Sequence, residues 1–164
     1  MDELISAAKI SARVKEMGQT IGDFYAGKPL TVVVLMNGGA FFGVDLARAI
    51  PLPLQFDSLR AASYSADRRG EFRLEAEPKL DPRGREILLM DDVFDSGETI
   101  RNCREYFLKR GAAGVRCAVL INKRVKGRAS EPDWAGFDAP DRYLVGCGMD
   151  SHEEFRALPF VGAI

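Results

Sequence analysis

The chain predicts an α/β fold built on a parallel sheet, and three features of its 164 residues point there. Residues 30–36 (LTVVVLM), 86–90 (EILLM) and 115–121 (VRCAVLI) are short, almost continuously apolar runs, as strands covered on both faces are. Segments with helical spacing alternate with them, which calls for right-handed crossovers. The residues that break the pattern, Asn37-Gly38-Gly39, Asp91-Asp92 and Lys123, fall at the carboxyl ends of the runs, where parallel sheets place their ligand sites.

Each element follows in chain order. Ile10, Val14, Met17, Ile21 and Phe24 repeat at helical spacing, so residues 4–25 read as a helix with this stripe on the core, ended by Gly27-Lys28-Pro29. Residues 30–36 are the first buried strand, followed by a short helix from about Phe41 to Ile50. Pro51 and Pro53 punctuate, and 54–59 reads as a second strand. Residues 63–70 (SYSADRRG) are polar and without periodicity, the pattern of a mobile loop. Phe72, Leu74 and Ala76 alternate with charged residues as on an edge strand, and Asp81-Pro82-Arg83-Gly84 is a turn. The strand at 86–90 runs into Asp91-Asp92, and Ser96-Gly97 turns the chain into a helix from about Thr99 to Lys109, with Ile100, Cys103 and Phe107 on one face and Gly111 at its C-terminal cap. After the strand at 115–121, residues 123–140 look loop-rich, and a short strand restarts at Tyr143–Val145. The length suits one domain, 1–164, and there is no internal repeat or low-complexity tract.

Composition narrows the function. Hydrophobic residues make up 46% of the chain, enough for a core without staples. A net charge of -1 argues against a nucleic-acid binder that relies on bulk positive charge. Cys103, Cys117 and Cys147 are widely spaced and odd in number, which suggests reduced thiols in the cytosol rather than a disulfide framework. His152 is the single histidine, so a histidine-rich metal site or a serine–histidine triad is not expected, and it reads as a surface or loop residue. The N-terminal MDELISAAKI has no secretory pattern, and no apolar run approaches the ~18 residues of a membrane span. A cytoplasmic location is expected.

The segment with the most chemistry is 88–99, LLMDDVFDSGET. A buried strand delivers two adjacent carboxylates, Asp91 and Asp92, and Asp95 follows three residues after the second. Ser96, Gly97, Glu98 and Thr99 then lead into a helix. Glycine permits a tight turn, and N–H groups at a helix start cradle phosphate. Paired acids suit ribose hydroxyls or a hydrated magnesium ion. The plainer reading is an acidic loop capping a helix, with Asp95 or Ser96 as the N-cap, but that leaves the two acids on the buried strand unexplained. Neither a G-x-x-x-x-G-K-[ST] nor a G-x-G-x-x-G string is present.

Segment 88–99 closely resembles the phosphoribosyl pyrophosphate signature of type I phosphoribosyltransferases: a hydrophobic strand, two acids, two apolar residues, then D-[ST]-G-x-T. Residues 34–46 (VLMNGGAFFGVDL) are similar to that family's first strand, pyrophosphate loop and following helix, and Ser63-Tyr64 to the Ser-Tyr pair of its closing loop. Residues 133–150 (DWAGFDAPDRYLVGCGMD) resemble its base-binding hood, and 155–160 (FRALPF) its tail. Together they resemble the hypoxanthine-guanine branch, from about Ile10 to the C-terminus.

The resemblance implies a Rossmann-like fold with a small hood, formed by about 123–164 with the N-terminal helix, over the base. It implies that Asp91 and Asp92 hold the ribose hydroxyls and a magnesium ion, that Asp150 ligates a second magnesium, and that Ser96, Gly97, Glu98 and Thr99 bind the 5-phosphate. Asp95 would be the general acid or base at N7 of a purine. Met36, Asn37 and Gly38, through a non-proline cis bond as in relatives, would bind pyrophosphate together with Arg156. Lys123 would donate to the purine 6-oxo group, Tyr143 would stack on the ring, and the Leu144 backbone would read the base edge. Taken alone, Tyr143 is also an ordinary strand aromatic, Lys123 a solvated strand-end lysine and Arg156 a surface charge; Lys126 lies close enough to leave the register at Lys123 open. The partners implied are a purine base and phosphoribosyl pyrophosphate, with no nucleic acid or membrane, in a homo-oligomer (dimer or tetramer).

Two positions depart from the family pattern. Asn37 stands where the pyrophosphate loop often carries lysine, and Ala62 where some relatives place lysine near that group. Pyrophosphate would then depend on backbone N–H groups, magnesium and Arg156. The rivals are the same fold acting on xanthine or a pyrimidine, and a non-catalytic RNA-binding regulator using Arg68-Arg69 and the 123–128 stretch.

Overall fold

The structure, a computed structural model, describes residues 1–62, 72–128 and 130–164. The predicted loop at 63–70, with Ser63 and Tyr64, lies outside the described residues.

Nine strands and three helices are formed among the described residues: β1 (Asp2–Ile5), α1 (Ala7–Tyr25), β2 (Leu30–Leu35), α2 (Ala40–Ala49), β3 (Leu54–Ala61), β4 (Leu74–Ala76), β5 (Glu86–Phe94), α3 (Glu98–Lys109), β6 (Gly114–Lys123), β7 (Trp134–Ala139), β8 (Leu144–Val145) and β9 (Val161–Ala163). Six strands make the main sheet in the order β4-β3-β2-β5-β6-β7. All its pairings are parallel except that of the edge strand β4.

The apolar runs become central strands because both faces are covered. In β2, Val32 and Val34 join the core shared with α1 and α2, while Val33 and Leu35 join the core under α3. Leu88 and Met90 of β5 face the first core, Ile87 and Leu89 the second. Each such side chain contributes about 1.5–3 kcal/mol on burial. Helix α1 starts on Ser6, whose side chain accepts from the Lys9 N–H, and lays Ile10, Val14, Met17, Ile21 and Tyr25 on the first core. Phe24, predicted to share that stripe, is 40% exposed.

Two local expectations are corrected. Leu4 and Ile5 belong to β1, not to the first helix. The stretch 123–140 is not all loop: β7 pairs in parallel with β6, Ala118 opposite Trp134 through Lys123 opposite Ala139. It escapes a sequence reading because it has Gly136 in mid-strand and neither alternation nor β-branched residues. Thus part of the segment likened to a hood lies in the main sheet. A separate three-stranded antiparallel sheet, β1-β9-β8, joins the N-terminal strand to the last strand. Cys103, Cys117 and Cys147 are all buried and unbridged.

Candidate active site

The site forms where β5 outlasts its neighbour. β2 stays paired with β5 only as far as Val34 opposite Met90, whereas β6 continues alongside to Phe94 opposite Asn122. Beyond Met90 one side of β5 is therefore open, and the Asn37–Gly39 turn fills it. The acids lie inside the strand rather than past its end: Asp91 is opposite Val119, Asp92 is buried, and Asp91 is partly covered. The Asp92 N–H donates to Asp91 Oδ1 at 2.9 Å, and the Val93 N–H to Asp92 Oδ1 at 2.8 Å. Burial pushes the Asp91 carboxyl well above the usual carboxylate range, and the negative charge of Asp92 adds to it. Burial also raises Asp92, offset in part by its hydrogen bonds and the charge of Arg156. The pair gains from any ligand that supplies hydroxyl donors or positive charge.

The turn after β5 ends in Gly97, left-handed at φ 82°, which occupies the N-cap of α3 with no side-chain cap. Neither Asp95 nor Ser96 caps the helix; Ser96 Oγ accepts the Glu98 N–H at 3.3 Å. The Glu98 N–H is thus held by Ser96 Oγ, the first-turn N–H groups that follow have no side-chain cap, and Ser96 and Thr99 are exposed beside them, an arrangement suited to phosphate.

On the opposite side of Asp95, the end of β6 places Lys123 Nζ 3.9 Å from Asp95 Oδ2 and 3.7 Å from Asp141 Oδ1. Lys126, the alternative register, lies exposed in the turn beyond the strand. Tyr143 is 56% exposed, and its hydroxyl donates to the Asp150 carbonyl at 3.1 Å. Leu144 pairs with Ala163 in the small sheet. Arg156 is held by Asp150 at 3.1 Å, by Glu153 at 3.1 Å and by the Gly148 carbonyl at 2.6 Å.

The Met36–Asn37 peptide is cis, as the resemblance anticipates. The loop after it is packed without slack: a Cβ on Gly38 would collide with the Asp92 carboxylate, and one on Gly148 with the Gly38 carbonyl. Asn37-Gly38, Asp92, Gly148, Arg156, Asp150 and Tyr143 therefore form one connected wall, with Asp95 and Lys123 facing each other beside it. Sequence reasoning missed three members. Asp141 is a second carboxylate on Lys123. Arg60, at the end of β3, donates to Asn37 Oδ1 at 2.6 Å. The Arg128 side chain, only 3% exposed, donates to the Lys123 carbonyl at 2.6 Å and to Glu131 at 2.5 Å, with its guanidinium 4.9 Å from the Phe94 ring centre. No local signal separates Arg128 from its exposed neighbour Arg124.

A twisted parallel sheet with paired acids, a phosphate-ready turn and a cis peptide at adjoining strand ends defines a nucleotide-handling α/β protein. The chain belongs to the phosphoribosyl transferase domain family, which matches residues 2–152. It is 34% identical over 170 residues to the hypoxanthine-guanine phosphoribosyltransferase of Mycobacterium avium, covering 98% of this chain and 84% of the relative. It is 30% identical to the hypoxanthine phosphoribosyltransferase of Salmonella typhimurium, covering 100% and 95%. The crystal structure of a hypoxanthine phosphoribosyltransferase from Staphylococcus aureus superposes with a TM-score of 0.94 at 27% identity, covering 99% and 90%.

Proposed function

We propose that this chain is a purine-salvage enzyme that transfers ribose 5-phosphate from phosphoribosyl pyrophosphate to hypoxanthine or guanine, giving IMP or GMP and pyrophosphate. The observation that carries this reading is the Asp95–Lys123 pair, an acid and an ammonium at the ends of adjacent strands, 3.9 Å apart, taken together with the exposed ring of Tyr143. A 6-oxopurine matches that set, with its oxygen on Lys123, its N7 at Asp95 and its ring on Tyr143.

In this reading Ser96 to Thr99 hold the 5-phosphate, and Asp91 and Asp92 accept from the ribose hydroxyls. Met36, Asn37, Gly38 and Arg156 face the pyrophosphate, and the Leu144 backbone meets the base edge. The glycosidic bond forms from N9 as the bond between the anomeric carbon and pyrophosphate breaks. Asp95 takes the N7 proton, a role worth roughly 10²–10⁴-fold. Holding base and sugar in line supplies much of the remaining acceleration.

Magnesium fits the donor set. Asp91 and Asp92 are hard oxygen ligands whose carboxyls burial pushes upward, so a cation relieves the pair. Among the described residues no three acidic, histidine or cysteine side chains cluster as a cage, so an ion at Asp91, Asp92 or Asp150 would take its other ligands from substrate oxygens and water. When bound it supplies Lewis-acid stabilisation of the departing charge.

A single domain over 1–164, with about 123–164 and the N-terminal helix as the hood, completes the reading. So do a cytoplasmic location and a dimeric or tetrameric assembly, which rest on the resemblance. Among the described residues no helix is long and apolar enough to cross a membrane. RNA binding by the 123–128 stretch is disfavoured because Arg124 is paired with Asp138 and Glu131, and Arg128 is buried. The test is a nucleotide-formation assay with hypoxanthine, guanine, xanthine, adenine and uracil, with and without magnesium. Turnover confined to the 6-oxopurines and dependent on magnesium is expected; preference for adenine or uracil would overturn the base assignment.

A further inference from the structure

We infer that Arg60 supplies the positive charge with which the Asn37 loop binds the diphosphate of the sugar donor, an inference that rests on the reading above. The pairing of β2 with β3 continues past Leu35, the Met36 N–H donating to the Leu59 carbonyl at 2.9 Å, and this sets Arg60 directly beside the Met36–Asn37 turn. Arg60 is exposed, and its Nη2 donates to Asn37 Oδ1 at 2.6 Å. A guanidinium only donates, so the amide oxygen must be the atom turned to it. The Asn37 NH₂ and the other guanidinium N–H groups then form a surface of donors alone, which an anion fits.

Charge balance among the described residues of this wall points to Arg60. Arg156, the cation on the other side of the loop, is already shared between Asp150 and Glu153. Asn37, Gly38 and Gly39 carry no charge. A planar guanidinium forked toward a loop is suited to phosphate oxygens, and an adjacent neutral amide extends the fork.

The experiment titrates inorganic pyrophosphate with magnesium into the wild type, Arg60→Gln, and the double variant Asn37→Lys/Arg60→Gln, and measures steady-state constants for phosphoribosyl pyrophosphate and hypoxanthine. Gln keeps an N–H donor for Asn37 but removes the charge, so it separates electrostatics from mere positioning. Arg60→Gln is expected to weaken pyrophosphate binding and raise KM for phosphoribosyl pyrophosphate by about 10- to 100-fold, as loss of a charged hydrogen bond does. KM for the base should stay within about threefold, a change of under 1 kcal/mol. The double variant, with a cation restored on the loop itself, should recover most of the loss. Unchanged pyrophosphate affinity in Arg60→Gln, no pyrophosphate binding by the wild type, or no recovery in the double variant overturns the inference. Arg60-dependent pyrophosphate binding without turnover on any base would sink the purine reading and leave this inference standing.

Discussion

Lys123 and Asp95 face each other across 3.9 Å at the ends of β6 and β5, with the lysine 16% and the aspartate 58% exposed at their side chains. A pair this open and this long contributes little to stability. Its value is the fixed separation of a cation and a carboxylate. Asp95→Asn should therefore lower kcat by about 10²–10⁴-fold while leaving the melting temperature and phosphoribosyl pyrophosphate affinity nearly unchanged. Steady-state kinetics with a binding titration checks this, and equal losses in both would remove Asp95 from the chemistry.

Arg128 fixes that separation from below. Its buried guanidinium joins the Lys123 carbonyl, Glu131 and the face of Phe94, and so ties β6 to β5 just under the pair. Arg128→Ala should cost about 1–3 kcal/mol of stability, because the Lys123 carbonyl and Glu131 lose a charged donor. It should also raise KM for the base more than KM for phosphoribosyl pyrophosphate. Arg128→Lys keeps the charge but not the fork and should recover only part of the base affinity.

Tyr143 exposes its ring and anchors its hydroxyl on the Asp150 carbonyl. Tyr143→Phe should raise KM for the base only modestly, and Tyr143→Ala should cost about 1–3 kcal/mol of base binding, the range for aromatic stacking on a nucleobase. Similar losses in the two variants would make the hydroxyl, not the ring, the contributor.

Asp91 should show a trade between activity and stability. Its carboxyl is raised in the folded protein, so folding favours its protonated form, and the deprotonated form destabilises the fold as pH rises through the raised value. Asp91→Asn should therefore stabilise by about 0.5–2 kcal/mol at neutral pH, and the gain should shrink as pH falls and the wild-type carboxyl protonates. Donor binding should be lost in the variant. Denaturation across pH checks the first point, and a stability difference that grows toward acid would contradict it.

The three thiols should be inert in the native state. Burial pushes Cys103 and Cys117 up to about 12 and Cys147 up to about 11, so thiolate is scarce near neutral pH. Thiol titration should find none rapidly reactive before denaturant is added.

The central strands and the acid-bearing turn were legible because their signals are local: unbroken apolar residues, two acids inside a buried run, and a glycine that must turn. β1, β9 and β7 were not, because short strands take their identity from distant partners; Asp2 meets Ala163, and Trp134 meets Ala118. The same holds for the site. Asp95 and Lys123 stand out at strand ends, but Arg128 becomes a buried strut only when Phe94 lies beneath it, and Arg60 reaches Asn37 only through the register of β2 with β3. Charged residues in loops look alike until the fold decides which are enclosed.

Gly148 rests on the Gly38 carbonyl with no side chain between them. The wall proposed to flank the base and the loop proposed to face the leaving group are thus two sides of one joint. A lineage that widened its base cleft by tilting this wall would disturb the neighbouring loop in the same step, so new base preferences and altered product release should be inherited together.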